Sequence, residues 1–329
     1  MTQRNAYVTG GTGFIGINLV RFLIQQNWNV TALHQKSSDI SYLKQFPVRL
    51  AEGNITDYQS IARHFPDDID AVFHLAGDTN LWSQKNELQQ IVNVDGTRNL
   101  LRVASTFNVS AFIFTSSASA WGSTNGCTIS ENLPQRGGES WVNYERTKFM
   151  AEQIVRSHPH NSMKTVILNP TAVTGPYDIN NWGKLFLALP KRQLPVIPNG
   201  IISVNHVDEV ARAHISAVDH GSHLSNYILA GRDCSFNTFI GKIADVMNVD
   251  KRPKPAPDFA LKTVAHIQNL LSHVTGKEPD ITPELVKLMT RRNISYSSQK
   301  AIDELGYNIL PLEKSINDCF EWLKKEGHL

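Results

Sequence analysis

Ala6-Tyr-Val-Thr-Gly-Gly-Thr-Gly-Phe-Ile-Gly16 is the stretch on which the reading of the fold turns. A β-like run, Ala6 to Thr9, passes directly into glycines spaced GxxGxxG, and an amphipathic stretch carrying Ile17, Leu19, Val20, Phe22 and Leu23 follows. Strand, glycine turn and helix in immediate succession open a βαβ unit. Glycine permits the tight turn, the close approach of backbone to a pyrophosphate, and the packing of helix on sheet. The first helical turn then offers unpaired N–H groups and the positive end of its dipole to an anion. A glycine pattern alone describes any tight turn; flanked in this way, it predicts a dinucleotide cradle over Gly10, Thr12, Gly13, Phe14, Ile15 and Gly16.

Outward from the cradle, short β-branched or apolar runs alternate with amphipathic ones. They predict strands at 6–9, 29–33, 48–52, 71–75, 111–115 and 165–168, and helices at 13–26, 58–65, 87–107 and 143–157. Ala71-Val-Phe-His-Leu75 and Ala111-Phe-Ile-Phe114 read as strands buried on both faces. The fold class is therefore α/β, a doubly wound parallel sheet. Past Pro170 the pattern loosens into segments marked by Pro176, Pro190, Pro195 and Pro198, then Pro253, Pro255 and Pro257. The reading is a dinucleotide-binding domain over 1–170 and a smaller, mainly substrate-binding cap over 171–329. Segments near 204–230, with a helix at 207–218 and a strand at 227–229, are expected to return to the sheet.

The second strand ends as Ala32-Leu-His-Gln-Lys-Ser-Ser38, with no acid before Asp39. An acid there binds the ribose 2′-hydroxyl, whereas a basic residue accepts a 2′-phosphate. The reading favours NADP(H) over NAD(H), with Lys36 and His34 near the phosphate.

Composition narrows the function class. The formal charge of +2 is spread along the chain without a basic run, so nucleic acid is not an expected partner. No apolar stretch approaches the roughly 20 residues of a membrane span, and the few residues before the first glycine do not read as a signal peptide. A cytoplasmic protein acting on small molecules, with no membrane partner, is the expectation. Cys127, Cys234 and Cys319 are odd in number, widely separated and outside any CxxC pattern, which predicts three buried thiols rather than a disulfide framework or zinc site.

Asn143-Tyr-Glu-Arg-Thr-Lys148 sets a tyrosine and a lysine four apart, one turn along one helix face. A neighbouring ammonium stabilises a phenolate and lowers the tyrosine pKa from about 10, fitting Tyr144 to exchange a proton with a carbonyl or alcohol oxygen. Lys148 would also reach the nicotinamide ribose. Alone the pair describes any amphipathic helix. Its place after Ala111-Phe-Ile-Phe-Thr-Ser-Ser-Ala-Ser119 adds weight, because that strand delivers Thr115, Ser116 and Ser117 to the edge where such sheets bind ligands. A serine hydroxyl there can hold the same substrate oxygen as Tyr144.

Together these motifs resemble the extended short-chain dehydrogenase/reductase family. Also in register are Gly53-Asn-Ile-Thr-Asp57, His74-Leu-Ala-Gly77, Asn93-Val-Asp-Gly-Thr-Arg-Asn99, Asn169-Pro-Thr-Ala-Val-Thr-Gly-Pro176 and His206-Val-Asp-Glu-Val-Ala-Arg-Ala-His214. The likeness spans nearly the whole chain and is strongest to dihydroflavonol-reductase-like proteins and the hopanoid-associated sugar epimerase group. It implies a Rossmann-type domain in which Asn54 and Ile55 flank adenine, Leu75, Ala76 and Gly77 line the cofactor cleft, and Ser117 is the catalytic hydroxyl beside Tyr144 and Lys148. Thr115, Ser116, Asn169, Thr171, Ala172 and Val173 fall in the motifs expected at the cofactor. Asn93 is expected there too, in a structural role holding the sheet edge to the active-site helix. Homodimers through the 87–107 and 143–157 helices are common in such proteins.

Two departures bear on the reaction. Sugar-nucleotide dehydratases of the family carry Thr-Asp-Glu where this chain has Ser-Ser-Ala118, so the acid for water elimination is missing. Nucleotide-sugar epimerases place an arginine four residues before the histidine of His-Val-Asp; here Ile202 stands there. The expectation is an NAD(P)-dependent oxidoreductase reducing a ketone or aldehyde to an alcohol. An epimerase acting on a sugar or sugar nucleotide and a non-catalytic dinucleotide sensor are the alternatives.

His206, Asp208 and His214 are poorly spaced for a metal site, and none is predicted. Residues 259–274, with Leu261, Val264, Ile267, Leu270 and Leu271 at helical spacing, are expected to pack into the cap, a membrane surface or partner being the other reading.

Overall fold

The computed structural model describes residues 3–329 except 108, 124–125, 160–161, 195 and 292–293. Seven parallel strands form the main sheet: β1 (Asn5–Thr9), β2 (Asn29–His34), β3 (Arg49–Glu52), β4 (Ala71–His74), β5 (Ala111–Thr115), β6 (Lys164–Pro170) and, from far along the chain, Asn226–Leu229. Their order across the sheet is Asn226–Leu229, β6, β5, β4, β1, β2, β3. β1 pairs with β2 on one side (Ala6 opposite Val30) and with β4 on the other (Val8 opposite Phe73). Strand order therefore reverses between β1 and β4, and in open α/β sheets the crevice above such a reversal is where ligands bind.

Both faces are covered, as an all-parallel sheet requires. On one face lie α1 (Phe14–Gln25), Val207–His220 and Gln299–Leu305, which bury Leu19, Leu23, Val210 and Ala301 on the sheet. On the other, α2 (Tyr58–His64), α3 (Gly96–Thr106) and α4 (Asn143–Ser157) bury Ile61, Leu100, Ala151 and Val155. α3 is the end of a longer helical run. It begins at Asn86–Gln90 and passes through one π-helical turn, Ile91–Asp95, where the sequence predicts an uninterrupted α-helix.

The C-terminal part has its own core. Ala172–Thr174, Ile201–His206 and Arg232–Ser235 form a three-stranded sheet on which Phe236–Val246 and Leu312–Lys325 pack, around Phe186, Phe239, Ile243 and Leu323. Asn226–Leu229 pairs in parallel with β6 at the edge of the main sheet, and Val207–His220 lies beside α1, so this half of the chain interleaves with the first. Arg21 pairs with Asp208, and Asn18 Nδ2 donates to the Pro176 carbonyl at 2.8 Å, tying α1 to Val207–His220 and to the loop after Ala172–Thr174.

Two expectations fail here. Asp258–Thr275 packs only Leu261, Ala265 and Ser272 inward, onto a small cluster with Ala256 and Val286. Its remaining apolar residues face outward, because the short helix Pro283–Met289 is too small to cover them. Of the cysteines only Cys319 is buried; Cys127 is exposed and Cys234 intermediate, since both sit on loops or edges rather than in the sheet core.

Candidate active site

The cradle forms at the strand reversal. Gly10 leaves β1 with φ +72°, a conformation few side chains tolerate, and a Cβ there would meet the Ala76 nitrogen at 2.5 Å. A Cβ on Gly16 would lie 2.1 Å from the Gly10 carbonyl oxygen. Gly13 caps α1, its N–H donating to Gly10 O at 3.0 Å, and with no side-chain cap the first-turn N–H groups of α1 stay open to an anion. A cleft of about 290 Å³ runs above these turns, lined by Gly10, Thr12, Gly13, His34, Ile55, Leu75, Ala76 and Gly77 among the residues singled out from sequence. Thr9, Leu33, Gln35, Ser38, Gly53 and Val92 also line it and were missed. Gln35 and Ser38 could have been found, being members of the same strand-end segment as His34 and Lys36.

The remaining cofactor candidates are placed differently. Lys36 is exposed at the rim, and the His34 ring meets the Gln35 carbonyl at 3.0 Å. Phe14 and Ile15 pack against the core below the turn. Asn54 turns into its own loop, its Oδ1 accepting from the Thr56 N–H at 3.1 Å, so an adenine contact through that amide would require this bond to be exchanged. The Thr115 hydroxyl bonds the His214 ring at 2.8 Å, away from the cleft, and the Thr171 hydroxyl accepts from Asn205 Nδ2 at 3.2 Å. Ala172 and Val173 sit in the cap strand paired with Ile201–His206.

Consecutive residues of an extended chain point opposite ways, and this separates the two serines. Ser116 turns inward and donates to Glu152 Oε1 at 2.5 Å. Ser117 faces the other way, its Oγ accepting from the Ser119 N–H at 3.1 Å and lying within hydrogen-bonding reach of the Tyr144 phenol. Burial raises the Tyr144 pKa, and the Ser117 hydroxyl pulls it partly back. The sequence reading expects a tyrosine lowered by its lysine; instead removal from water, with the Glu145 and Asp78 carboxylates adding to it, raises the phenol, and no lowering by Lys148 accompanies it.

Lys148, one turn on, donates from Nζ to the Thr115 carbonyl at 3.1 Å, and a Cβ on Gly77 would lie 3.3 Å from that Nζ. Burial lowers its pKa to about 8, against the raising effect of Glu152. Glu152 is itself fully buried and accepts from Ser116 Oγ, from Asn169 Nδ2 at 2.6 Å, from Gln135 Nε2 at 2.8 Å and from Asn226 Nδ2 at 2.9 Å. Four donors with no acceptor among them fit an ionised carboxylate. Asn169 thus supports Glu152, and its amide also donates to the Ser117 carbonyl at 3.1 Å.

Asn93, on the π turn, clasps the loop after β4: its Oδ1 accepts from the Asp78 N–H at 2.7 Å, while its Nδ2 donates to the Asp78 carbonyl at 2.9 Å and to Thr147 Oγ1 at 3.1 Å. His74 lies under the cleft between Thr9 and Thr97, neutral because burial drops its pKa to about 3. His206 and His214 are bonded to Asp318 and Thr115, and among the described residues no group of three His, Cys, Asp or Glu could hold a metal. Ile202 is buried in the cap core. Arg291 reaches back from the C-terminal part to Glu145, the neighbour of Tyr144, at 2.7 Å.

Residues 6–230 match the NAD dependent epimerase/dehydratase family. The chain belongs to that family. The family is one of extended short-chain NAD-dependent oxidoreductases and epimerases, which accounts for the parallel sheet and the glycine cradle described above. Among similar proteins, a putative dihydroflavonol 4-reductase of Synechocystis is 27% identical, over 98% of this chain and 95% of its own. Sterol demethylase protein B of Methylococcus capsulatus is 24% identical, over 97% and 98%. The crystal structure of gox2253 superposes with a TM-score of 0.84 at 28% identity, over 99% of this chain and all of that one. Among the described residues no helix is long and apolar enough to cross a membrane.

Proposed function

We propose that the chain reduces a ketone or aldehyde to an alcohol, and the observation that carries this is Tyr144 beside Ser117, with Lys148 a turn along the same helix and its Nζ by Gly77 at the cradle. The cradle fits a dinucleotide: Gly10 and Gly16 keep clear the space a Cβ would fill, and α1 presents open N–H groups beneath it. Gly10, Gly13 and the cleft wall of Leu75, Ala76 and Gly77 would hold it, and when bound it supplies the hydride.

The chain's own residues handle the proton. Ser117 orients the substrate oxygen and Tyr144 passes its phenolic proton to it. Lys148, held ammonium by Glu152, stabilises the phenolate left behind. A phenol kept protonated by burial is loaded for donation to a carbonyl oxygen. The buried Ile202 and the engagement of Arg291 with Glu145 favour an uncharged carbonyl compound over a sugar nucleotide. NADP(H) is the preferred form, because His34, Gln35 and Ser38 line the cleft at a strand end that carries no acid, with Lys36 exposed beside them. Leu88, Ile91 and Met150, exposed on the 86–106 run and α4, are where a homodimer would form.

Tyr144→Phe is expected to remove most NADPH oxidation in a screen of ketones, aldehydes, flavanonols and sugar nucleotides while leaving NADPH affinity nearly unchanged. Full turnover in that variant sinks the assignment. NADH binding as tightly as NADPH in a titration sinks the cofactor preference, and an isomerised sugar product without net cofactor use points to the epimerase reading.

A further inference from the structure

Asp258–Thr275 is an 18-residue helix that the fold leaves half covered. Leu261, Ala265 and Ser272 are buried, while Phe259, Leu270 and Val274 are 74%, 67% and 87% exposed, and Val264, Ile267 and Leu271 stand out beside them. At 100° per residue these six fall on one face about 140° wide, with Thr263 the one polar side chain among them. Lys262, His266 and His273 form an exposed row along one border of that face, and the exposed Lys277 follows the helix end. Residues 259–277 contain no aspartate or glutamate.

We infer that this helix docks the protein on the surface of an anionic lipid bilayer, lying in the interface with Phe259, Ile267, Leu270 and Val274 among the acyl chains. An amphipathic helix bound in this way needs an apolar face of this breadth with basic residues at headgroup level. The charge pattern is what selects the occupant: Lys262 and Lys277 are the exposed charges along and just past the face, while Asp258 at the helix start has a buried Oδ1 and Glu278 is paired with Lys85, so the face complements anionic headgroups. Length agrees, since the helix is too short of apolar residues all round to span and has a polar, packed side.

The placement gives the contact a use. The helix rests on the loop after β4, with Trp82 Nε1 bonding Ser272 Oγ at 3.2 Å, and the segment beyond it is fixed by Lys85 and Asn80 to Glu278 at 2.6 and 2.7 Å. The start of that loop is the Asp78 main chain clasped by Asn93, at the edge of the cofactor cleft. The docked face is turned away from this loop, so a bilayer there would hold the helix and, through Trp82 and Glu278, the loop at the cleft edge. The docking does not depend on the proposed reduction.

The test is flotation of the full-length protein with extruded vesicles of phosphatidylcholine alone and of phosphatidylcholine with phosphatidylglycerol, and it requires no turnover. The protein is expected to float with the anionic vesicles, less so in 0.5 M salt, where the screening length is roughly 4 Å, and weakly with phosphatidylcholine alone. Leu270→Glu with Val274→Glu should weaken partitioning by about tenfold or more, since a buried apolar side chain becomes a charge, with unfolding temperature and NADPH affinity unchanged. Lys262→Gln with Lys277→Gln should remove the preference for anionic vesicles while leaving the fold intact. Wild type that stays unbound, or equal binding by wild type and the double glutamate variant, overturns the inference. So does a wild-type dimer that the glutamates make monomeric without any vesicle binding, which would mark the face as a contact between copies. Failure of Tyr144→Phe to lose activity would strike the reaction and leave this result standing.

Discussion

Lys148 carries the pH behaviour of the site. Its pKa is lowered to about 8 by burial, so the ammonium is intact below that value and is lost as pH rises through it. Turnover should therefore fall on the alkaline side of a pH profile, with a limb near 8. Glu152→Gln keeps the shape but removes the anion that supports the charge, so the limb should move to lower pH with NADPH affinity little changed; an unmoved limb would mean Glu152 only fills space. Gly16→Ala would set a methyl group 2.1 Å from the Gly10 carbonyl, and about 1–3 kcal/mol of overpacking strain with loss of dinucleotide binding is the expected result, read by denaturant melts and cofactor titration. Most of this site was legible because its parts sit at fixed spacing on known strands and helices. What the pattern hid was direction. Ser116 and Ser117 look alike as residues; the family resemblance picks Ser117, and the pleat supplies the reason by turning Ser116 to Glu152 and Ser117 toward Tyr144. Glu152, a turn beyond Lys148 on an amphipathic helix, reads as a solvated acid until Asn169 and Asn226 arrive from distant strands.

At the level of elements, strands and helices of the first half lie within two residues of where periodicity puts them, since strands buried on two faces and helices buried on one leave unambiguous patterns. The π turn at Ile91–Asp95 escaped, because an extra residue in one turn leaves the apolar spacing nearly unchanged while swinging Asn93 onto the Asp78 backbone. Asn93→Ala strips the Asp78 N–H of its acceptor. About 1 kcal/mol of stability should be lost with that partly buried group unsatisfied, together with much of the turnover, as the loop and α4 lose their shared tie. Chemical denaturation and kcat measured on one sample check both, and a stable variant with lowered kcat would show that positioning, not folding, is what Asn93 provides. The outward face of Asp258–Thr275 escaped for the opposite reason: helical spacing tells which residues share a face, not whether anything covers it.

Across the whole molecule, one buried ion pair joins the two halves at the reacting end. Glu145 is fully buried, with Ser140 Oγ and Arg291 as its partners at 2.6 and 2.7 Å. Arg291→Met leaves that carboxylate unpaired and should cost about 3–5 kcal/mol; adding Glu145→Gln should recover most of it, and a double variant no better than the single would refute the coupling. Sequence could not show this pair, since 146 residues separate its members.

The last strand of the main sheet has the same dependence. Its end is fastened by groups from beyond residue 230: Ser298 Oγ accepts from the Ala230 N–H at 2.8 Å, the Tyr307 hydroxyl donates to the Ala230 carbonyl at 3.1 Å, and Glu304 takes the Tyr227 hydroxyl. The family match stops at residue 230, yet a ribosome that stopped there would release a chain with a bare buried charge and an unfastened sheet edge. The dinucleotide half is thus a unit of recognition without being a unit of folding. During synthesis it would wait, unfinished, for its last hundred residues to emerge.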